Sequence, residues 1–216
     1  MRSSSDIVRE IESVSVLIDN AITENEIQAK LEVYGYTVER LNEGKSLLTI
    51  LKEQQHQQKA DYGQQFAATD AFQGAREVAD KTYRRYHKVA QVAFRNNRSA
   101  TQALGLNNLT KTRVYSQWLD RTSQFYANLL ADNDLLTGMT RFGVTREQLE
   151  AGKSQVDATE NARKARELKK GGAQSATSKR NTAYDNLNNW LSDFRPIVEI
   201  ALEDEPQLLE KLGITQ

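Results

Sequence analysis

No cysteine occurs anywhere in this 216-residue chain. That removes disulfide frameworks, thiolate metal sites and thiol nucleophiles together. Histidine is nearly as scarce, with two in all, and neither can be ordered into a Ser-His-Asp set, so no catalytic constellation can be named. Two prolines leave long stretches free of helix breakers. No run of about 18 apolar residues exists from which a membrane-spanning helix could be built. The start, Met1-Arg2-Ser3-Ser4-Ser5-Asp6, leads into a segment broken by Arg9, Glu10 and Glu12, so there is no signal-peptide core. The expectation is a cytoplasmic protein. Lys plus Arg equals Asp plus Glu at 29 each, so no overall field draws the chain to nucleic acid or to an anionic membrane.

What is there is written twice. Tyr34-Gly35-Tyr36-Thr37 through Leu41 to Gly44-Lys45-Ser46 matches Phe142-Gly143-Val144-Thr145 through Leu149 to Gly152-Lys153-Ser154. The offset of 108 is half the length of the chain. At that offset Tyr86 falls on Phe194, Val89 on Ile197, and Leu104-Gly105-Leu106 on Leu212-Gly213-Ile214. The matches cluster at turn glycines and apolar positions, which specify a fold, and no gap is needed. The reading is two internal repeats, 1–108 and 109–216, in a single helical domain 1–216.

Each repeat reads as helical throughout. Ile7, Ile11, Val14, Ile18 and Ile22 recur at three and four, one face of a helix, and Tyr115, Leu119, Thr122, Tyr126 and Leu129 do the same in the copy. A short helix follows, closed by Gly35 or Gly143 in the left-handed position. Thr37 and Thr145 then suit the N-cap of the next helix, with a reciprocal capping box only in the second copy, where Gln148 stands at N3. That helix has Leu41, Leu48 and Leu51 in the first copy but is alanine-rich in the second, which predicts the second to be more exposed. Gly63 and Gly171-Gly172 interrupt the pattern and predict a turn that reverses the chain. A last long helix carries the stripe Ala79, Tyr86, Val89, Ala93, copied as Leu187, Phe194, Ile197, Ala201. A short helix ends at Gly105, or in the copy starts near Pro206 and ends at Gly213. The link Asn107-Asn108-Leu109-Thr110 is too short for a free linker if the next helix begins near Lys111. With no period-two alternation, the expected fold is an all-α antiparallel helical bundle of two repeats related by pseudo-twofold symmetry.

Few motifs point to chemistry. Gly44-Lys45-Ser46 and Gly152-Lys153-Ser154 end like a phosphate loop, but Glu39 and Glu147 stand where its first glycine must be, and both lie inside a helix. Their glycines instead suit the close approach of a neighbouring helix. Glu53-Gln54-Gln55-His56 has the Glu-x-x-His spacing of metal-carboxylate bundles; its copy, Asn161-Ala162-Arg163-Lys164, lacks the partner such a site needs. Glu53 and His56 therefore stand as the metal candidates of an alternative, ferritin-like reading, and no cofactor is expected. His87, beside Arg84, Arg85 and Lys88, is expected to be solvated. The basic run Arg84 to Lys88, continued by Arg95 and Arg98, has an acidic copy in Glu199, Glu203, Asp204 and Glu205, so the halves could complement one another within the fold or across a dimer. Trp118 and Tyr115 exceed what narrow helix stripes need and are the candidate interaction residues.

The closing segment, Ile197-Val198-Glu199-Ile200-Ala201-Leu202-Glu203-Asp204-Glu205-Pro206-Gln207-Leu208-Leu209-Glu210-Lys211-Leu212-Gly213-Ile214, resembles the end of uncharacterised bacterial helical-bundle proteins. The resemblance implies a bacterial source and brings no activity with it. The expected function is a non-catalytic one, through an unknown protein partner or self-association.

Overall fold

The computed structural model describes residues 4–107 and 114–214. Every regular element among them is helical: α1 (Ser4–Thr23), α2 (Asn25–Val33), α3 (Val38–Ala93), α4 (Arg98–Ala103), α5 (Tyr115–Ala131), α6 (Asn133–Thr140), α7 (Arg146–Ala201) and α8 (Pro206–Lys211). The expected link through Asn108 and Thr110, and the helix start near Lys111, lie outside the described residues.

Helix ends follow from local chemistry. Thr145 and Gln148 make the reciprocal capping box, Thr145 N–H donating to Gln148 Oε1 at 3.0 Å and Gln148 N–H to Thr145 Oγ1 at 3.3 Å. Before α3 the corresponding bond is a single long one, from Arg40 N–H to Thr37 Oγ1 at 3.5 Å. The two threonine hydroxyls also hold the carboxyls of Glu39 and Glu147 below the usual range. Asn97 caps α4, its Oδ1 accepting from Ala100 N–H at 3.0 Å. Gly35, Gly105, Gly143 and Gly213 all take positive φ, between 61° and 80°, where a side chain would be strained.

The predicted reversals at Gly63 and Gly171-Gly172 do not exist. Both positions lie inside continuous 56-residue helices. Each glycine costs roughly 1 kcal/mol against alanine in a helix interior, but the residues around them are mostly good helix formers. Bonds between the long helices flank the sites: Gln58 Nε2 donates to Thr177 Oγ1 at 3.1 Å, Arg180 Nη1 to Gln58 Oε1 at 3.3 Å, and Lys169 Nζ to Gln64 Oε1 at 2.7 Å. Tertiary support therefore overrides the local weakness. The greater exposure expected of the second copy is not found, because the first halves of the two long helices bury positions 108 apart alike. Leu48 and Leu51 are buried in α3, and Val156 and Thr159, 108 positions on, are buried in α7; Ile50, Gln57 and Ala60 are exposed, like Ala158, Ala165 and Leu168.

Each long helix contributes to two compact units. Unit 1 gathers Met1–Gly63 and Gly171–Gln216; unit 2 is Gln64–Lys170. The core of unit 1 takes Ile18 from α1, Ile27 and Leu31 from α2, Leu41 and Leu51 from α3, and Phe194 and Val198 from α7. Tyr36 meets Phe194 at 4.9 Å between ring centroids and Trp190 at 5.9 Å, and Trp190 lies 4.6 Å from Phe194. The core of unit 2 takes Tyr83, Ala90 and Phe94 from α3, Phe125 and Tyr126 from α5, Met139 from α6 and Leu149 from α7. The glycines of the two Gly-Lys-Ser segments are points of close approach. A Cβ on Gly44 would stand 2.5 Å from the Trp190 ring, and one on Gly152 2.6 Å from the Tyr126 hydroxyl.

Candidate interaction surfaces

Trp118 and Tyr115 lie in unit 2, where the structure spends them on packing. Trp118 is 4% exposed, and its indole Nε1 donates to Asp80 Oδ1 at 2.9 Å. Asp80 is held in turn by Arg84, whose Nε donates to Oδ2 at 2.7 Å. Tyr115 is half-buried between Trp118, at 5.7 Å, and Phe72, at 5.4 Å. Guanidinium groups close the edges of this stack: Arg163 lies 4.7 Å over Tyr115, Arg166 4.9 Å over Phe72, and Arg76 5.6 Å over Trp118. Cation–π attraction of roughly 0.5–1 kcal/mol per exposed pair holds them there. The cluster stiffens unit 2 and offers no open ring face at Trp118.

Glu53 and His56 are both exposed on α3. Among the described residues, no three His, Asp or Glu side chains gather where they could hold a metal ion. Lys45 and Lys153 of the Gly-Lys-Ser segments are tied down as ion pairs, Lys45 to Asp19 at 2.9 Å and Lys153 to Asp157 at 2.7 Å. Both segments sit inside helices, as their spacing predicts.

His87 is not solvated. It is fully buried in unit 2, with its ring against Tyr83 at 5.4 Å and Phe125 at 5.9 Å. Its Nε2 stands 3.4 Å from the Gly105 carbonyl oxygen, and Nδ1 makes no hydrogen bond. Burial pushes its pKa below the ordinary value, against the pull of the Gly105 carbonyl and with the help of Arg121. The same dry interior pushes the Tyr83 phenol up to about 12. A sequence signal existed: Tyr83, His87, Ala90 and Phe94 recur at helical spacing beside the stripe already identified, so His87 belongs to the inward face despite its basic neighbours.

Sequence reasoning missed a set of large apolar side chains left in solvent at positions 108 apart. Tyr34 precedes α3 and is 46% exposed; Phe142 precedes α7 and is 51% exposed. Val92 and Ile200, in the last turns of α3 and α7, are 50% and 48% exposed. The signal was present, since Tyr34/Phe142 and Val92/Ile200 pair at the offset of 108; their outward direction was not. Tyr34 and Ile200 belong to unit 1, Phe142 and Val92 to unit 2. Unit 1 also carries an open depression of about 600 Å³ lined by Glu26, Asp204, Glu205, Pro206 and Lys211.

No protein-family model, curated protein or solved structure matches this chain. The geometry alone bears on function. Among the described residues no helix is long and apolar enough to cross a membrane, and the features that stand out are exposed apolar spots beside charged helix ends. Such spots, rimmed by polar residues, are what protein contact surfaces are made of.

Proposed function

We propose that the chain is a non-catalytic helical protein that acts by binding another protein or another copy of itself. Its architecture is an antiparallel bundle of two repeats, 1–108 and 109–216, related by a pseudo-twofold axis. The bounds of α3 and α7, and of α4 and α8, stand 108 positions apart. Within unit 1, Gly44 meets Trp190 and Gln58 meets Thr177, so partners on α7 fall in number as those on α3 rise. Each unit then draws one part from each repeat.

The observation that carries the binding reading is the matched exposure of Tyr34 with Phe142 and of Val92 with Ile200. Aromatic side chains are among those enriched in protein interfaces. Gel filtration with light scattering, and affinity capture from a lysate of the source cell, test it with the intact chain and with a Tyr34→Asp/Phe142→Asp variant. The expected result is an assembly or a retained protein that the variant loses. A wild-type chain that stays monomeric and retains nothing overturns it.

A further inference from the structure

The exposed apolar side chains, Tyr34 and Ile200 in unit 1 and Phe142 and Val92 in unit 2, are matched in sequence position and opposed in the charge of most of their sequence neighbours. Around Tyr34 and Ile200 in unit 1 the exposed charged neighbours in sequence are mostly acidic, Glu32, Glu39, Glu199, Glu203 and Asp204 against Arg40 and Arg195. Around Phe142 and Val92 in unit 2 they are mostly basic, Lys88, Arg95, Arg98, Arg141 and Arg146 against Glu147. The reversal occurs at equivalent positions as well, with Asp193 answering Arg85 and Glu203 answering Arg95, all four exposed. Two further cations of unit 1 are engaged, Lys30 with Glu205 at 2.6 Å and Lys211 with Glu24 at 3.0 Å, and the Arg40 guanidinium lies 4.1 Å over the Tyr36 ring. Asp132, in unit 2, is occupied in capping α6 through the amides of Asp134 and Leu135.

We propose that these spots are the two sides of one interface, so that the acidic spot of unit 1 on one copy of this chain docks on the basic spot of unit 2 on another. The proposal rests on the binding-protein reading above and names the partner as a second copy. The apolar side chains supply burial at the centre, and the charges around them supply direction. Like spots repel, acidic from acidic and basic from basic, while unlike spots attract, which is how a charged rim selects one pairing against another. The depression beside Glu26, Asp204 and Glu205 gives basic side chains of the incoming copy a place to enter. A formal net charge of zero leaves no overall repulsion between copies. Because the docking surfaces differ, the contact is heterologous: every added copy leaves one spot of each sign free, and growth continues until a ring closes or a filament runs on.

Sedimentation velocity of the intact chain over a range of concentrations, at ~0.01 M and ~1 M salt, tests this, since the Debye length falls from about 30 Å to about 3 Å between them. The expected result is a series of oligomers at low salt that dissolves at high salt. Two charge-reversed chains, Arg85→Glu/Arg95→Glu and Asp193→Lys/Glu203→Lys, should each assemble at least about tenfold more weakly. An equimolar mixture of the two should assemble again, because each then offers the sign that the other lacks. Circular dichroism checks that both stay helical, and the neutral pair Arg85→Ala/Arg95→Ala replaces a reversal that does not. A wild-type chain monomeric at low salt, or a mixture that fails to recover assembly, overturns the proposal. If the wild type is monomeric but still retains a protein that Tyr34→Asp/Phe142→Asp releases, self-docking falls and the binding-protein reading stands. If it retains none, both fall.

Discussion

At positions 108 apart the two units bury different chemistry. Where unit 1 has Leu17, Ile18 and Leu191, unit 2 has Phe125, Tyr126 and Tyr83. Where unit 1 leaves Arg195 in solvent, unit 2 encloses His87. Unit 1 therefore has a mainly aliphatic interior with one aromatic group at Tyr36, Trp190 and Phe194. Unit 2 has an aromatic interior that encloses the Tyr83 and Tyr126 hydroxyls and His87 Nδ1 without hydrogen-bond partners, against Trp190 Nε1 in unit 1. Each such atom costs roughly 1–3 kcal/mol of desolvation that a hydrocarbon would not. Similar helix lengths and turns thus carry two interiors with different weaknesses: unit 1 is sensitive to lost volume, unit 2 to lost volume and to acid. The comparison can be measured directly, because the chain has one tryptophan in each unit, Trp190 in unit 1 and Trp118 in unit 2. Trp118→Phe and Trp190→Phe chains each leave a single fluorescent reporter.

The largest effect expected is at Phe194, which is fully buried. Phe194→Ala should destabilise unit 1 by about 3–5 kcal/mol, read as a lower urea midpoint of Trp190 fluorescence. Tyr86→Ala, the equivalent change in unit 2, should cost less, because Tyr86 lies at the edge of its core with 8% of its surface exposed. An equal loss at both sites would break the contrast drawn between the interiors.

Next come the two glycines under aromatic rings. Gly44→Ala and Gly152→Ala each add a methyl that meets a ring atom at under 3 Å. Overpacking of about 1–3 kcal/mol outweighs the roughly 1 kcal/mol that alanine returns in helix propensity. Both variants should melt lower in thermal scans, each in its own unit. A higher melting temperature for either would show that its ring moves aside freely.

Acid should separate the units. The folded pKa of His87 lies below its ordinary 6.5, so the unfolded chain takes up the proton first. The stability that neutral His87 permits is whole above about pH 6.5 and is lost as pH falls from there towards the folded value. Urea titrations at stepwise lower pH should show the Trp118 midpoint falling sooner than that of Trp190. His87→Gln should flatten the difference; if the two reporters keep falling together, His87 is not the cause.

The smallest effect is expected at Lys153, whose pair with Asp157 is half-exposed on one helix face. Lys153→Ala should cost no more than about 0.5 kcal/mol. Lys45→Ala should cost a similar amount, although its partner Asp19 is on another helix and its carboxyl is held below the usual range by the Lys45 bond. A loss beyond about 1 kcal/mol at Lys153 would assign that side chain a role the structure does not show.

The sequence by itself determined the helical class, the capped and glycine-turned helix ends and most of the inward faces, because each is set by residues within a turn or two of one another. Thr145 with Gln148 makes its capping box, Gly35 and Gly143 turn with positive φ, and Leu41 and Leu149 both point inward. Exposure of Tyr34, Phe142, Val92 and Ile200 was not readable in this way, because a large apolar residue in a sequence carries no sign of whether another helix covers it. Only the tertiary structure decided that Gly63 and Gly171 lie within helices, since local cost at glycine is outweighed by bonds such as that from Gln58 to Thr177, which join residues 119 apart. It alone decided that His87 is buried, since the Phe125 ring against it comes from another helix. It decided, too, which stripe meets which. When similar stripes recur 108 positions apart, a helix can satisfy its apolar face against its own half or the other, and the pattern is the same for both. The first part of α3 and the last part of α7 share a core because of how side chains such as Trp190 fit over Gly44, a matter of shape that periodicity does not contain.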